Sequence, residues 1–189
     1  MGRYILALLA AATWAFPCGN NGRWLVKVGT DPDARVVDIL QADQSDIAKL
    51  RALPKPAKYP ENARIKPTEI ASWQIEASIT KIRLDADGDL AAVVADEDGK
   101  SMLVEFPDTA CMAGSQFQEP ATAARKHIEE KFPLGKSRTL TPEKPVKAVI
   151  RGVGFFDKAR EPGASPNGME LHPVLWICFA GEPDCMGGE

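Results

Sequence analysis

WQIEASITKIRLDADGDLAAVVADEDGKSMLVEF, residues 73–106, decides the fold. Trp73, Ile75, Ala77 and Ile79 alternate with polar residues, the period of a strand with one face buried. The alternation resumes out of phase at Ile82 and Leu84, so the spacing predicts one long strand with a bulge near Lys81. Asp87-Gly88 supplies a hairpin turn before the apolar return Leu90 to Ala95, and Asp98-Gly99 supplies another before Met102 to Phe106. Three consecutive antiparallel strands make a meander.

Downstream, Phe117, Ala121, Ala124, Ile128 and Phe132 recur at helical spacing, with Pro120 suited to a first turn and Pro133 ending the run. Two further strands are expected over Val146 to Phe156 and Met169 to Phe179, and Gly152 and Gly154 mark close backbone approach in the first of them. The order is three strands, a helix and two strands. It predicts a mainly β (α+β) domain: a five-stranded OB-like barrel with its helix between strands three and four.

Upstream the chain divides into an export segment over 1–15, an N-terminal extension over 16–70, and the barrel over 71–189. Met1-Gly2-Arg3 followed by an Ala- and Leu-rich apolar run has the layout of a secretory signal, too short for a permanent membrane anchor. The extension is expected to carry a short strand at Arg23–Val28 and a short helix capped by Ser45. In an oxidising compartment the four cysteines read as two disulfides. Cys178 and Cys185 flank a short turn and can close on each other, which leaves Cys18 for Cys111. None of these spacings is that of a structural zinc site.

The formal charge of −3 argues against a dedicated nucleic-acid binder, which needs a basic surface to neutralise phosphates. Two likenesses bear on function. Ala77-Ser78-Ile79-Thr80-Lys81-Ile82, the Asp87-Gly88-Asp89 and Asp98-Gly99-Lys100 turns and Phe106-Pro107-Asp108-Thr109 resemble the opening meander of thermonuclease-like OB-folds. That likeness implies a calcium ion held by Asp89 and Asp108. The arginine it implies on the third strand is missing from Met102-Leu103-Val104-Glu105, and Ala110 stands near the implied general base.

A longer likeness runs through Arg23-Trp24, Lys27, Thr30-Asp31, the acidic turns, Pro107-Asp108 before Cys111, Gly152 to Asp157, and Pro166 to Leu175. These resemble a family of uncharacterised secreted bacterial proteins. The resemblance implies shape and compartment without a reaction. The chain departs from that family at Ala91 and at Lys158-Ala159-Arg160, where histidines are expected.

The acidic turns at Asp85–Asp89 and Asp96–Asp98 miss the spacing of a calcium loop. Glu170 and His172, two apart on the last strand, share a face. With Asp157 and Asn167 of the preceding loop they form the candidate ligand site, expected at the barrel mouth. No complete catalytic set is present, and no catalytic residue is assigned. The expected role is a secreted or periplasmic OB-like binding module for an oligosaccharide, peptide or protein, without cofactor and with its oligomeric state open. The alternative is a metal-dependent hydrolase, most specifically a thermonuclease-like phosphodiesterase using calcium.

Overall fold

The computed structural model describes residues 18, 22–158, 161–183 and 185, so the expected export segment lies outside the described residues. Among the described residues seven strands occur: β1 (Asp43–Gln44), β2 (Ser72–Leu84), β3 (Leu90–Ala95), β4 (Ser101–Phe106), β5 (Thr139–Leu140), β6 (Val146–Phe156) and β7 (Met169–Phe179). Three α-helices accompany them: α1 (Trp24–Val28), α2 (Ile47–Ala52) and α3 (Gln118–Lys131). Among the described residues, no helix is long and apolar enough to cross a membrane.

The sheet runs β2-β3-β4-β7-β6, and β6 pairs back onto β2, closing a five-stranded barrel. All its pairings are antiparallel except β4 with β7. α3 lies between strands three and four of the barrel in chain order, as the sequence predicts for an OB-like fold. The expected bulge falls between Ile79 and Lys81. There β2 hands its pairing from β6 to β3, which a bent strand makes possible. β1 and β5 are short additions alongside β2.

The barrel interior is filled by alternate residues: Ile75, Ala77 and Ile79 of β2, Leu90, Ala92 and Val94 of β3, and Met102, Val104 and Phe106 of β4. Met169 and Leu171 of β7 join the same core, with Ala124, Ile128 and Phe132 from α3 and Ile47 and Leu50 from α2. Gly154 lets the wall approach the extension closely, since a Cβ there would lie 2.4 Å from Thr68 O.

Two expectations for the extension change. Arg23–Val28 is not a strand: Trp24–Val28 form one helical turn, entered through Arg23 at φ 65° and ended by Gly29 at φ 69°. The apolar residues of so short a segment suit either period, and here Val26, Lys27 and Val28 are all buried, so no exposed face marks out the period. Asp46, not Ser45, caps α2, its carboxylate accepting from Lys49 N at 2.7 Å.

The extension is packed against the barrel's outer wall through a second apolar core. Val28, Ala34 and Val37 meet Val153 and Leu175 of the wall and Met112, Phe117 and Ala121 of the α3 region. Two ion pairs are buried within it, Arg23 with Glu69 at 2.6 Å and Arg64 with Asp31 at 2.7 Å, and the first reaches the barrel through Phe156 of β6. The disulfides Cys18–Cys111 and Cys178–Cys185 form as the sequence reading expects.

Candidate metal centre on the outer wall of the barrel

Because Met169, Leu171, Val104 and Phe106 point inward, Glu170, His172 and Glu105 at the intervening positions point outward. The parallel register Leu103↔Glu170, carried on by two residues, sets Glu105 beside His172. Antiparallel pairing of Ala91 with Glu105 brings Asp89, two residues before Ala91, to the same outer face. The site therefore lies on the outer wall at the β4–β7 seam, not at the barrel mouth. Every residue from Met169 to Leu175 is buried on one side or the other, so polarity along the strand does not distinguish wall from mouth.

The outer face is not solvent. The extension covers it with α1, whose Lys27 places Nζ 3.8 Å from Glu105 Oε2 and 3.6 Å from Asp157 Oδ2. His172 Nδ1 is 2.8 Å from Glu105 Oε2 and 3.5 Å from Glu170 Oε1, and its Nε2 is 3.8 Å from Asp89 Oδ2. Phe155 packs beside the imidazole, 5.6 Å between centroids, and also lies under Lys27. Asp89, Glu105, Glu170 and His172 are each no more than 5% exposed.

Buried charge of this kind costs several kcal/mol per ion unless it is paired and hydrogen-bonded. Here the pairing is incomplete. Asp89 Oδ2, Glu170 Oε1 and both nitrogens of His172 have no hydrogen-bond partner of acceptable geometry. Four carboxylates (Asp89, Glu105, Asp157, Glu170) face one ammonium and one imidazole, so with all four ionised the cluster keeps two negative charges unbalanced when the imidazole is protonated and three when it is neutral.

The protonation equilibria respond to that imbalance. Burial pushes the Asp89 carboxyl up to about 6, against the pull of His172. Burial also raises Glu170, reinforced by the neighbouring charge of Glu105. Glu105 moves the other way: burial opposes its ionisation, but Lys27 and His172 outweigh burial and hold it below the usual carboxylate range. Burial would lower His172 and Lys27, yet Glu105 and Glu170 lift the imidazole to about 9, and the surrounding carboxylates keep the ammonium above its ordinary range.

A divalent cation would offset excess negative charge and give one orphaned nitrogen of His172 a partner. Asp89, Glu105 and His172 each offer a ligand atom, and the three atoms lie within 4.8 Å of one another. The expectation of no cofactor is thus corrected: the fold assembles a donor set able to chelate a metal ion. Its carboxylates are the hard oxygen donors that calcium takes, and the imidazole adds the nitrogen donor that zinc or manganese accepts. Glu105 and Lys27 also line a cleft of about 580 Å³, together with Asp85, Asp87, Asp157 and Glu161, so the cluster borders a space that a ligand could enter.

The residues singled out from sequence are distributed as follows. Glu170 and His172 belong to the cluster, and Asp157 borders it through Lys27. Asn167 is a structural tie: its amide donates to Leu50 O and Leu53 O, and its Oδ1 accepts from Ser165 Oγ and Met169 N. Asp89 and Asp108 are joined through the backbone of Asp108. Asp108 N donates to Asp89 Oδ1 at 2.9 Å, while the Asp108 carboxylate accepts from Ala110 N.

Sequence reasoning passed over Glu105 and Lys27. The signal was there in each: a lone ionisable residue inside an apolar run, Met102-Leu103-Val104-Glu105-Phe106 and Leu25-Val26-Lys27-Val28. Residues of that kind are seldom buried without a partner. Compared with known proteins, the chain matches no family model and no curated sequence.

Proposed function

We propose that this protein is a metal-dependent hydrolase, with a divalent ion held by Asp89, Glu105 and His172 at the edge of the cleft. The observation that carries the reading is the buried convergence of three ligand atoms in a cluster whose carboxylates outnumber its cations. A bound ion supplies Lewis acidity and a water activated for attack near neutral pH. The chain's own residues do the rest. Glu170, its Oε1 3.5 Å from His172 Nδ1, adds a further carboxylate beside the imidazole. Lys27 presents an ammonium to the cleft where negative charge would develop on a substrate oxygen. The buried surroundings strengthen both effects.

The two disulfides and the apolar N-terminal run support an exported, oxidising location for this activity. Calorimetry on metal-stripped, disulfide-intact protein tests the centre, using calcium, magnesium, manganese and zinc in turn. One ion per chain is expected, with affinity falling at least about tenfold in Asp89→Asn and in Glu105→Gln, folded by circular dichroism. No binding of any of the four ions would end the reading. An ion that binds and raises thermal stability without any turnover would return the protein to the class of binding modules.

A further inference from the structure

The cations around the cleft are already engaged. The Arg23 guanidinium is held by Glu69 and by the carbonyls of Pro60, Ala63 and Phe156. Arg83 pairs with Asp85 at 2.6 Å and with Glu161. Lys158 lies over the Tyr59 ring. Lys27 both lines the cleft and touches the cluster, and it is already matched by Glu105 and Asp157. Against these, the described lining contains the carboxylates of Asp85, Asp87, Glu105, Asp157 and Glu161.

With a divalent ion in place and Lys27 charged, the four carboxylates of the cluster still exceed the positive charge by one. A phosphodiester brings its own negative charge and gains more toward its transition state, so it calls for cations beyond the one ion. Among the described residues the cleft holds none that is not already paired with a carboxylate or stacked on a ring. A carboxylic ester or amide is neutral at the reacting carbon and develops one negative charge on one oxygen. The ion and Lys27 suffice for that.

We infer, resting on the hydrolase reading above, that the substrate is a carboxylic ester or amide flanked by neutral or cationic groups, as in a basic peptide, and not a phosphodiester. In the reaction the oxygen of water bonds to the carbonyl carbon and the C–O or C–N bond breaks. The departing oxygen or nitrogen takes up one proton of the water to become an alcohol or amine, and the acyl part keeps the hydroxyl as a carboxylic acid. No redox change or further reactant is involved.

The test uses metal-loaded protein with the p-nitroanilides and p-nitrophenyl esters of arginine, alanine and glutamate, and with bis(p-nitrophenyl) phosphate. Acyl cleavage is expected, with kcat/KM for arginine about tenfold above that for glutamate, narrowing to about threefold in Asp87→Asn/Glu161→Gln. Cleavage of the phosphodiester abolished by Asp89→Asn, a preference for glutamate, or bound metal with no acyl cleavage would each overturn the inference. Calorimetry on the same sample separates these from failure of the centre itself: if no ion binds, the hydrolase reading falls and the substrate class with it.

Discussion

Arg23 shows how much one side chain can organise. It sits at φ 65°, a backbone region that costs a non-glycine residue about 1 kcal/mol or more. Its guanidinium repays that by a two-point contact with Glu69, at 2.6 Å on both oxygens. Glu69 also accepts from Ile65 N and Phe156 N, so the pair fastens the extension to the end of β6. Arg23→Met would leave the Glu69 carboxylate buried without a cation and is expected to lower stability by roughly 3–5 kcal/mol in urea unfolding.

Asp46 is a cap of more ordinary kind. Asp46→Ala should cost about 1 kcal/mol. The bond from Lys49 N, then the Lys49 side chain, hold the Asp46 carboxyl below its ordinary value of 3.8. A depressed folded pKa means its contribution is present above pH about 4 and is lost as pH falls through the folded value. The difference in melting temperature between wild type and Asp46→Ala should therefore be full at pH 7 and shrink below pH 4. A gap that is unchanged at pH 2.5 would contradict the capping role.

At the level of elements, the centre depends on how α1 and α3 are held to the wall. α1 ends at Gly29, φ 69°, where a Cβ would come within 2.1 Å of the Phe117 ring that leads into α3. Gly29→Ala must pay the left-handed backbone cost and also displace either that ring or α1, a loss of roughly 2–3 kcal/mol in total. Displacing α1 moves Lys27, so metal affinity should change together with stability.

α3 acts from the other side. Its Arg125 donates to Gly88 O at 2.8 Å and Phe106 O at 3.0 Å, next in sequence to Asp89 and Glu105. Arg125→Leu removes both bonds without touching a proposed ligand. We expect a metal affinity about tenfold weaker from the misplaced carboxylates. Calorimetry on the folded variant checks this, and an unchanged affinity would show that the strands alone set the geometry.

For the molecule as a whole, the two disulfides differ in the length of chain they close. Cys18–Cys111 spans a sequence separation of 93 and joins the start of the described extension to the turn after β4, whereas Cys178–Cys185 spans 7. On loop entropy alone the long closure is worth roughly 2 kcal/mol more than the short one. Guanidinium unfolding of Cys18→Ser/Cys111→Ser and Cys178→Ser/Cys185→Ser should show that order. Equal losses would mean that the extension stays collapsed on the barrel in the unfolded state.

The residues alone determined the elements of the barrel: the meander, the bulge near Lys81, the helix that Pro133 ends and the two long closing strands. Each is a local pattern, because side-chain period and turn chemistry act over a few neighbours. The disulfide partners also followed from few possibilities. Glu170 and His172 could be placed on one face, since two residues along a strand always share one. Which face that was, and what covered it, only the tertiary structure decided. Parallel pairing of β4 with β7 brought Glu105 to His172, the β2–β3 turn brought Asp89, and a helical turn from 78 residues before Glu105 delivered Lys27. Such contacts depend on strand order and on the docking of a remote segment, and no local periodicity carries that information.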